Sequence, residues 1–116
     1  MSIQRIHVGQ RLSEIAIFNK LIYLAGQIPE DIHADIVGQT TEVLGHVDRL
    51  LAEAGSDKSR ILMCQIFLSD ITLISGMNQA WDAWVADSNA PPRATVQALL
   101  ANPSWLIEIV VTAAQK

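Results

Sequence analysis

The stretch Ile61-Leu62-Met63-Cys64-Gln65-Ile66-Phe67-Leu68 decides the fold, because it is an apolar run of strand length between two segments with helical periodicity. Before it, apolar residues recur at three- and four-residue spacing across residues 36–54. After it, the same spacing returns in residues 74–85. The run itself lacks regular alternation, which predicts a strand covered on both faces. A strand between two helices predicts β-α-β crossovers and a partly parallel sheet.

Toward the N-terminus, two β-prone runs form a predicted hairpin. They are Ser13–Phe18 and residues 21–25, and Asn19-Lys20 lies between them. Asparagine tolerates the left-handed conformation that a tight hairpin turn requires. A further strand is expected near residues 3–8. For the first helix, Asp35 is the candidate N-cap and Gly55 the candidate stop.

Toward the C-terminus, residues 94–100 and 106–113 are predicted to be the last two strands. The expected order is therefore β-β-β-α-β-α-β-β. We predict a single α+β domain over residues 1–116, with a mixed β-sheet and two helices on one face. Apolar residues on the other face would have to contact another subunit.

Composition supports association and excludes some partners. Half of the residues are hydrophobic and 17% are charged, so a chain of 116 residues has more apolar surface than a small core needs. The net charge is −4 and no two basic residues are adjacent, which argues against nucleic acid as the main partner. We see neither a signal-peptide pattern nor an apolar run long enough to span a bilayer, so we expect a cytoplasmic protein.

Three groups of residues are not expected to take part in catalysis or ligand binding. Cys64 lies in an apolar run and is expected to be a small buried hydrophobe. The three histidines are far apart without ligand spacing, so no zinc site is expected. Trp81 and Trp84 share a helical stripe and are expected to pack rather than to stack on bases.

Arg93 and Glu108 are the stronger candidates. Arg93 follows Pro91-Pro92, which hold its approach stiff and extended. Its guanidinium is a planar fork that matches a carboxylate, although a surface loop arginine is the alternative. Glu108 lies among apolar residues, so its carboxylate should have a partner: Arg93 of the same or a neighbouring subunit, or a water. An exposed edge glutamate is the alternative there.

Six fragments, in chain order, resemble the motifs of the RidA family, also called YjgF, L-PSP or RutC-like. They are Gly26-Gln27-Ile28-Pro29, Gln39-Thr40 with Val43-Leu44, Ala54-Gly55-Ser56, Phe67-Leu68-Ser69-Asp70 with Met77-Asn78, Pro92-Arg93-Ala94-Thr95-Val96, and Ile107-Glu108-Ile109. Arg11-Leu12-Ser13-Glu14 and residues 78–84 resemble a small bacterial branch of that family.

The resemblance implies a homotrimer with a barrel-like centre, the chorismate mutase-like YjgF fold, and ligand clefts between subunits. It implies hydrolysis of 2-enamine and 2-imine acids, such as 2-aminoacrylate, to 2-keto acids and ammonia. No metal or organic cofactor is implied. The catalytic residues would be Arg93 and Glu108. Substrate would contact Arg93, Gly26, Ala25, Thr95 and Leu12.

Three of these positions depart from the family pattern. Leu12 replaces a tyrosine, Ala25 a serine and Thr95 a cysteine, so the pocket should be less polar. Two other functions therefore remain open. One is a non-catalytic trimer that binds small carboxylate metabolites. The other, disfavoured by the acidic composition, is an RNA-directed endoribonuclease or translation inhibitor.

Overall fold

A computed structural model describes residues 2–87 and 89–116, and it contains a six-stranded mixed sheet with two helices on one face. The strands lie in the order β1-β2-β3-β6-β4-β5, and only β4 and β5 are parallel neighbours. The predicted α+β fold is confirmed. The elements are β1 Gln4–Val8, β2 Ser13–Phe18, β3 Leu21–Leu24, α1 Ile36–Glu53, β4 Ile61–Leu68, α2 Ile74–Trp84, β5 Arg93–Gln97 and β6 Ile107–Ala114.

The local signals for turns and helix ends were correct. Asn19 and Lys20 both have positive φ, at 54° and 65°, as a tight hairpin turn between β2 and β3 requires. Asp35 caps α1 by accepting a hydrogen bond of 2.9 Å from the backbone N–H of Gly38. Gly55, with φ of 79°, follows the end of that helix.

Most strand ends differ from the prediction by at most one residue, but one strand was predicted to end three residues too late. The strand predicted over residues 94–100 ends at Gln97. The reason is tertiary, since β5 is an edge strand whose single neighbour is β4. β4 ends at Leu68, which is the register partner of Gln97, so the chain beyond has no ladder to join.

The core lies between the sheet and the helices. Alternate residues of β2, β3, β4 and β6 point toward α1 and α2 and are buried, among them Ile15, Ile22, Ile66 and Ile109. Cys64 is among them, as expected. Burial raises the pKa of its thiol to about 12 against the opposing charge of Arg93, so the thiol stays protonated and unreactive.

A buried amide connects α1 to the segment that leads into β6. Gln39 is fully buried, and its Nε2 donates to the carbonyl oxygens of Ala34 and Ser104. Its Oε1 accepts from the backbone N–H of Leu106, directly before β6. This satisfied amide fixes the start of β6, the strand that carries Glu108.

The chain leaves the second face of the sheet open. A register shift between Ile61 and Met63 accounts for the lost alternation in β4. From Cys64 onward the strand alternates, and the chain itself covers only its helix-facing side. The open face carries large apolar side chains, including Tyr23, 48% exposed, and Val96, 46% exposed.

No helix within the described ranges, 2–87 and 89–116, has the length and apolar character needed to cross a membrane.

Candidate functional site

Arg93 begins β5, and its guanidinium is held by packing rather than by an ion pair. The guanidinium carbon lies 5.0 Å from the centroid of the Trp81 ring. Nη1 lies 3.9 Å from the sulfur of Met77. Among the residues that the structure describes, no carboxylate lies within ion-pair distance of Arg93. We call Arg93, Trp81 and Met77 the cation site, because the protein supplies a positive charge there. The guanidinium of Arg93 is exposed and oriented, and it is free to bind an anion.

Glu108 belongs to a second group on β6. An ideal Cβ at Gly26 would lie 2.0 Å from Oε2 of Glu108 and 2.9 Å from its Cδ. Only glycine allows the backbone to approach the carboxylate this closely. Glu108 is half-buried, and within the described part of the chain its carboxylate makes no hydrogen bond or ion pair. We call Glu108 and Gly26 the carboxylate site, after the carboxylate of Glu108 that the protein supplies there.

The strand register separates these two sites within one chain. Phe67 is the partner of both Glu108 and Val96, whereas Cys64 is the partner of Arg93. Three positions separate Phe67 from Cys64, so Glu108 and Arg93 point to opposite faces of the sheet. They also lie about 10 Å apart along the strands and about 10 Å apart across them. Of the three partners expected for Glu108, Arg93 of the same subunit is therefore excluded.

Of the remaining predicted site residues, Thr95 lies on the face of the cation site, Ala25 adjoins the carboxylate site, and Leu12 is assigned to neither. Thr95 lies two positions after Arg93 and therefore on the same face as the cation site. Ala25 precedes Gly26, and its backbone N–H donates to the carbonyl oxygen of Glu14 at 2.9 Å. Leu12 precedes β2 and is 56% exposed, with its carbonyl accepting from Gly9. Within the described part of the chain, no hydrogen bond joins these three residues to the side chains of Arg93 or Glu108.

Two residues of α2 were not predicted as site residues. Trp81 was expected to pack, and its ring centroid lies 5.3 Å from that of Trp84. The same ring also supports the guanidinium of Arg93. Asn78 lies between Met77 and Trp81 in the chain, and its Oδ1 is buried with no hydrogen-bond partner in the described part of the structure. The available signal was an amide on an otherwise apolar helical stripe.

The fold also brings together a group with metal-ligand chemistry. Ligand atoms of Glu30, Glu42 and His46 lie within 4.8 Å of one another. The histidine spacing alone did not reveal this group, since Glu30 comes from a loop. Glu42 already accepts from the backbone N–H groups of Glu30, at 2.6 Å, and Asp31, at 3.1 Å. Burial opposes ionisation, yet these bonds and His46 keep the pKa of Glu42 below its usual value. This group therefore acts as a clamp between the loop and α1.

Known proteins resemble this chain over nearly its whole length. The family model for Endoribonuclease L-PSP matches residues 2–115. The chain belongs to the Endoribonuclease L-PSP family. Among L-PSP relatives, a RutC family protein of Haemophilus influenzae is 54% identical over 114 residues, covering 97% of this chain and 98% of that protein. RutC family protein YoaB of Escherichia coli is 45% identical over 114 residues, covering 98% and 99%.

The solved structures extend the agreement to the fold. A YjgF family member from Neisseria meningitidis matches with a TM-score of 0.97 at 43% identity, covering 100% of this chain and 97% of that one. L-PSP membership confirms the resemblance that the six sequence motifs indicated.

Proposed function

We propose that this chain hydrolyses 2-enamine and 2-imine acids, such as 2-aminoacrylate, to 2-keto acids and ammonia, in clefts between the subunits of a cytoplasmic homotrimer. One observation carries the proposal. The cation site and the carboxylate site lie on opposite faces of one sheet, so a cleft that uses both must take them from different copies of the chain.

The open face of the sheet supports association. Register partners place Tyr23 beside Thr112, and Phe67 beside Glu108 and Val96, on this uncovered face. The tyrosine and valine side chains are exposed and the phenylalanine is half-buried, and all three are stabilised when another subunit removes them from water. Glu108 lies in the same row, so a subunit that covers this face also approaches the carboxylate site.

The cation site supports recognition of a carboxylate. Trp81 and Met77 contact the guanidinium of Arg93 and hold it in place. The remaining N–H groups of the guanidinium are available to a ligand. Two parallel N–H bonds to a carboxylate would fix the orientation of a 2-imino acid. Such anchoring would hold the substrate in one orientation, and orientation of this kind lowers the barrier to reaction.

Glu108 supports the proton transfers. In the enamine form, C3 must gain a proton and the amino nitrogen must lose one, which gives the imine. Glu108 then accepts a proton from water as the water oxygen bonds to C2, and the C–N double bond becomes a single bond. Glu108 returns that proton to the nitrogen, which gives the carbinolamine. It then carries the hydroxyl proton to the same nitrogen, so the C–N bond breaks, the C2–O bond becomes a carbonyl, and ammonia leaves. Overall, 2-aminoacrylate and one water give pyruvate and ammonia.

Three substituted positions favour a second candidate, a trimer that binds small carboxylates without turnover. Leu12, Ala25 and Thr95 replace the tyrosine, serine and cysteine of the family pattern, so fewer hydroxyl groups or thiols would orient a water. Both functions need Arg93. The RNA-directed function that the family's name suggests is disfavoured by a net charge of −4 and scattered basic residues.

The test is release of ammonia and pyruvate from 2-aminoacrylate generated in situ, measured beside calorimetric binding of pyruvate. Turnover above the uncatalysed rate supports the deaminase. Pyruvate binding without turnover supports the binding trimer, and neither binding nor turnover refutes both.

A further inference from the structure

Gln27 is a buried polar side chain beside the carboxylate site. It is 5% exposed, although glutamine is usually a surface residue. Its Nε2 donates to Oε2 of Glu14 at 3.1 Å and to the carbonyl oxygen of Ala25 at 2.9 Å. One side chain therefore links strand β2 to the segment that carries Gly26.

The backbone of the same residue is joined to β6. Its N–H donates to the carbonyl oxygen of Ile109 at 2.8 Å, and its carbonyl oxygen accepts from the N–H of Ile109 at 3.0 Å. Ile109 is the neighbour of Glu108, and Gln27 is the neighbour of Gly26. Both residues of the carboxylate site are thus one residue from this pair of bonds.

We propose that the Glu14–Gln27 pair is a positioning device that sets the distance between the Gly26 backbone and the Glu108 carboxylate. The proposal rests on the proposed function and adds residues with no contact to substrate. An amide donor facing a carboxylate forms a charge-assisted hydrogen bond, which is stronger than a neutral one. The pair therefore resists displacement of the Gly26 segment away from Glu108.

The donor must be on residue 27 and the acceptor on residue 14, and this polarity makes the device testable. Glu14→Gln keeps an acceptor oxygen, so the link persists without its charge. Gln27→Glu places a second carboxylate against Glu14 and against the Ala25 carbonyl, so the link becomes repulsive. The double variant exchanges donor and acceptor and restores the Glu14–Gln27 bond, although not the bond to Ala25.

The experiment measures kcat and KM for 2-aminoacrylate in these three variants. We expect Gln27→Glu to lower kcat at least about tenfold with KM within about threefold, because misplacement of a reacting group by about 1 Å can cost ~100-fold. Glu14→Gln should stay within about threefold of wild type. The double variant should regain most of the lost kcat. A double variant no better than Gln27→Glu would overturn the proposal.

Two further variants separate positioning from general stability. Gln27→Met removes the donor without adding charge, and it should also lower kcat at least about tenfold. It replaces Gln27→Glu as the test if that variant fails to fold. Glu42→Gln disturbs the clamp on Glu30 and Asp31, farther along the same segment. It should lower the melting temperature while leaving kcat within about twofold. An equal loss of kcat in Glu42→Gln would overturn a specific role for Gln27.

A ligand-free readout distinguishes failure of this inference from failure of the proposed function. The backbone N–H of Gln27 donates to the carbonyl oxygen of Ile109, and the N–H of Ile109 donates to that of Gln27. The hydrogen exchange of these two N–H groups therefore reports on how firmly the Glu14–Gln27 pair holds the segment. We expect exchange to be faster in Gln27→Glu and to slow again in the double variant. Absence of turnover and of pyruvate binding in wild type refutes the proposed function, whereas unchanged exchange in Gln27→Glu refutes the positioning device.

Discussion

Replacing Gly26 with alanine should separate activity from stability at the carboxylate site. The added Cβ would lie 2.0 Å from Oε2 of Glu108, 2.9 Å from its Cδ and 3.2 Å from its Cγ. All three atoms belong to a flexible side chain rather than to backbone. The carboxylate can therefore swing away, and the loss of its position is the expected consequence of the substitution.

The size of the effect follows from the contact distances. Ordinary contact to a Cβ begins near 3.4 Å, so Oε2 must retreat by about 1.4 Å from its present 2.0 Å. A displacement of about 1 Å can cost ~100-fold in rate, and we expect Gly26→Ala to lower turnover of 2-aminoacrylate about 10- to 100-fold. Because rotation of Glu108 relieves the clash, the free energy of unfolding should change by less than about 1 kcal/mol, below the usual cost of overpacking.

Gly45 offers a matched control. It is exposed in the middle of α1, and a Cβ built there meets no atom within 4 Å. Gly45→Ala should therefore raise the free energy of unfolding by about 1 kcal/mol, through the higher helix propensity of alanine, and leave turnover unchanged. Both variants would be assayed for pyruvate and ammonia release and for thermal unfolding.

Two results would contradict this reasoning. Full turnover in Gly26→Ala would mean that the position of the Glu108 carboxylate does not matter to the reaction. A loss of several kcal/mol in unfolding free energy would mean that Glu108 cannot swing and that the site is packed as rigidly as the core.

Four further predictions test the site and the chain around it. Arg93→Ala should weaken pyruvate binding at least about tenfold in calorimetry, since charge-assisted bonds contribute about 1.5–3 kcal/mol, and Arg93→Lys should be intermediate; equal affinity in wild type and Arg93→Ala would remove the cation site. Glu108→Gln should keep pyruvate binding and lose most turnover, and undiminished ammonia release would exclude Glu108 as the proton carrier. Sedimentation equilibrium should give three chains per particle, and a stable monomer would refute the shared cleft. Hydrogen bonds from Ser59, then from Lys116, lower the pKa of Asp57 from 3.8 to about 2. The contribution of Asp57 to stability is therefore present above about pH 4 and lost as the pH falls to about 2. The difference in melting temperature between wild type and Asp57→Asn should shrink across that range, and a constant difference would contradict the lowered pKa.

Local patterns were sufficient for most elements and for the family. The run Ile61–Leu68 has the bounds of β4, and Asn19-Lys20 forms the predicted turn. Apolar spacing, an N-cap and a following glycine set the extent of α1. These features depend on interactions within a few residues, so the sequence carries them directly. The motifs around Gly26, Arg93 and Glu108 likewise identified the residues that deserve mutation.

The sequence by itself therefore determined which elements form and which polar side chains are unusual, whereas the tertiary structure alone decided how those side chains are divided. Strand β6 enters the sheet between β3 and β4, and its register with β4 sets the face to which Glu108 points. β5 pairs with the other edge of β4, and that register sends Arg93 to the opposite face, over Trp81. Because each pairing joins residues distant in the chain, and a shift of one residue would reverse either face, no local pattern could have excluded an Arg93–Glu108 pair within one subunit.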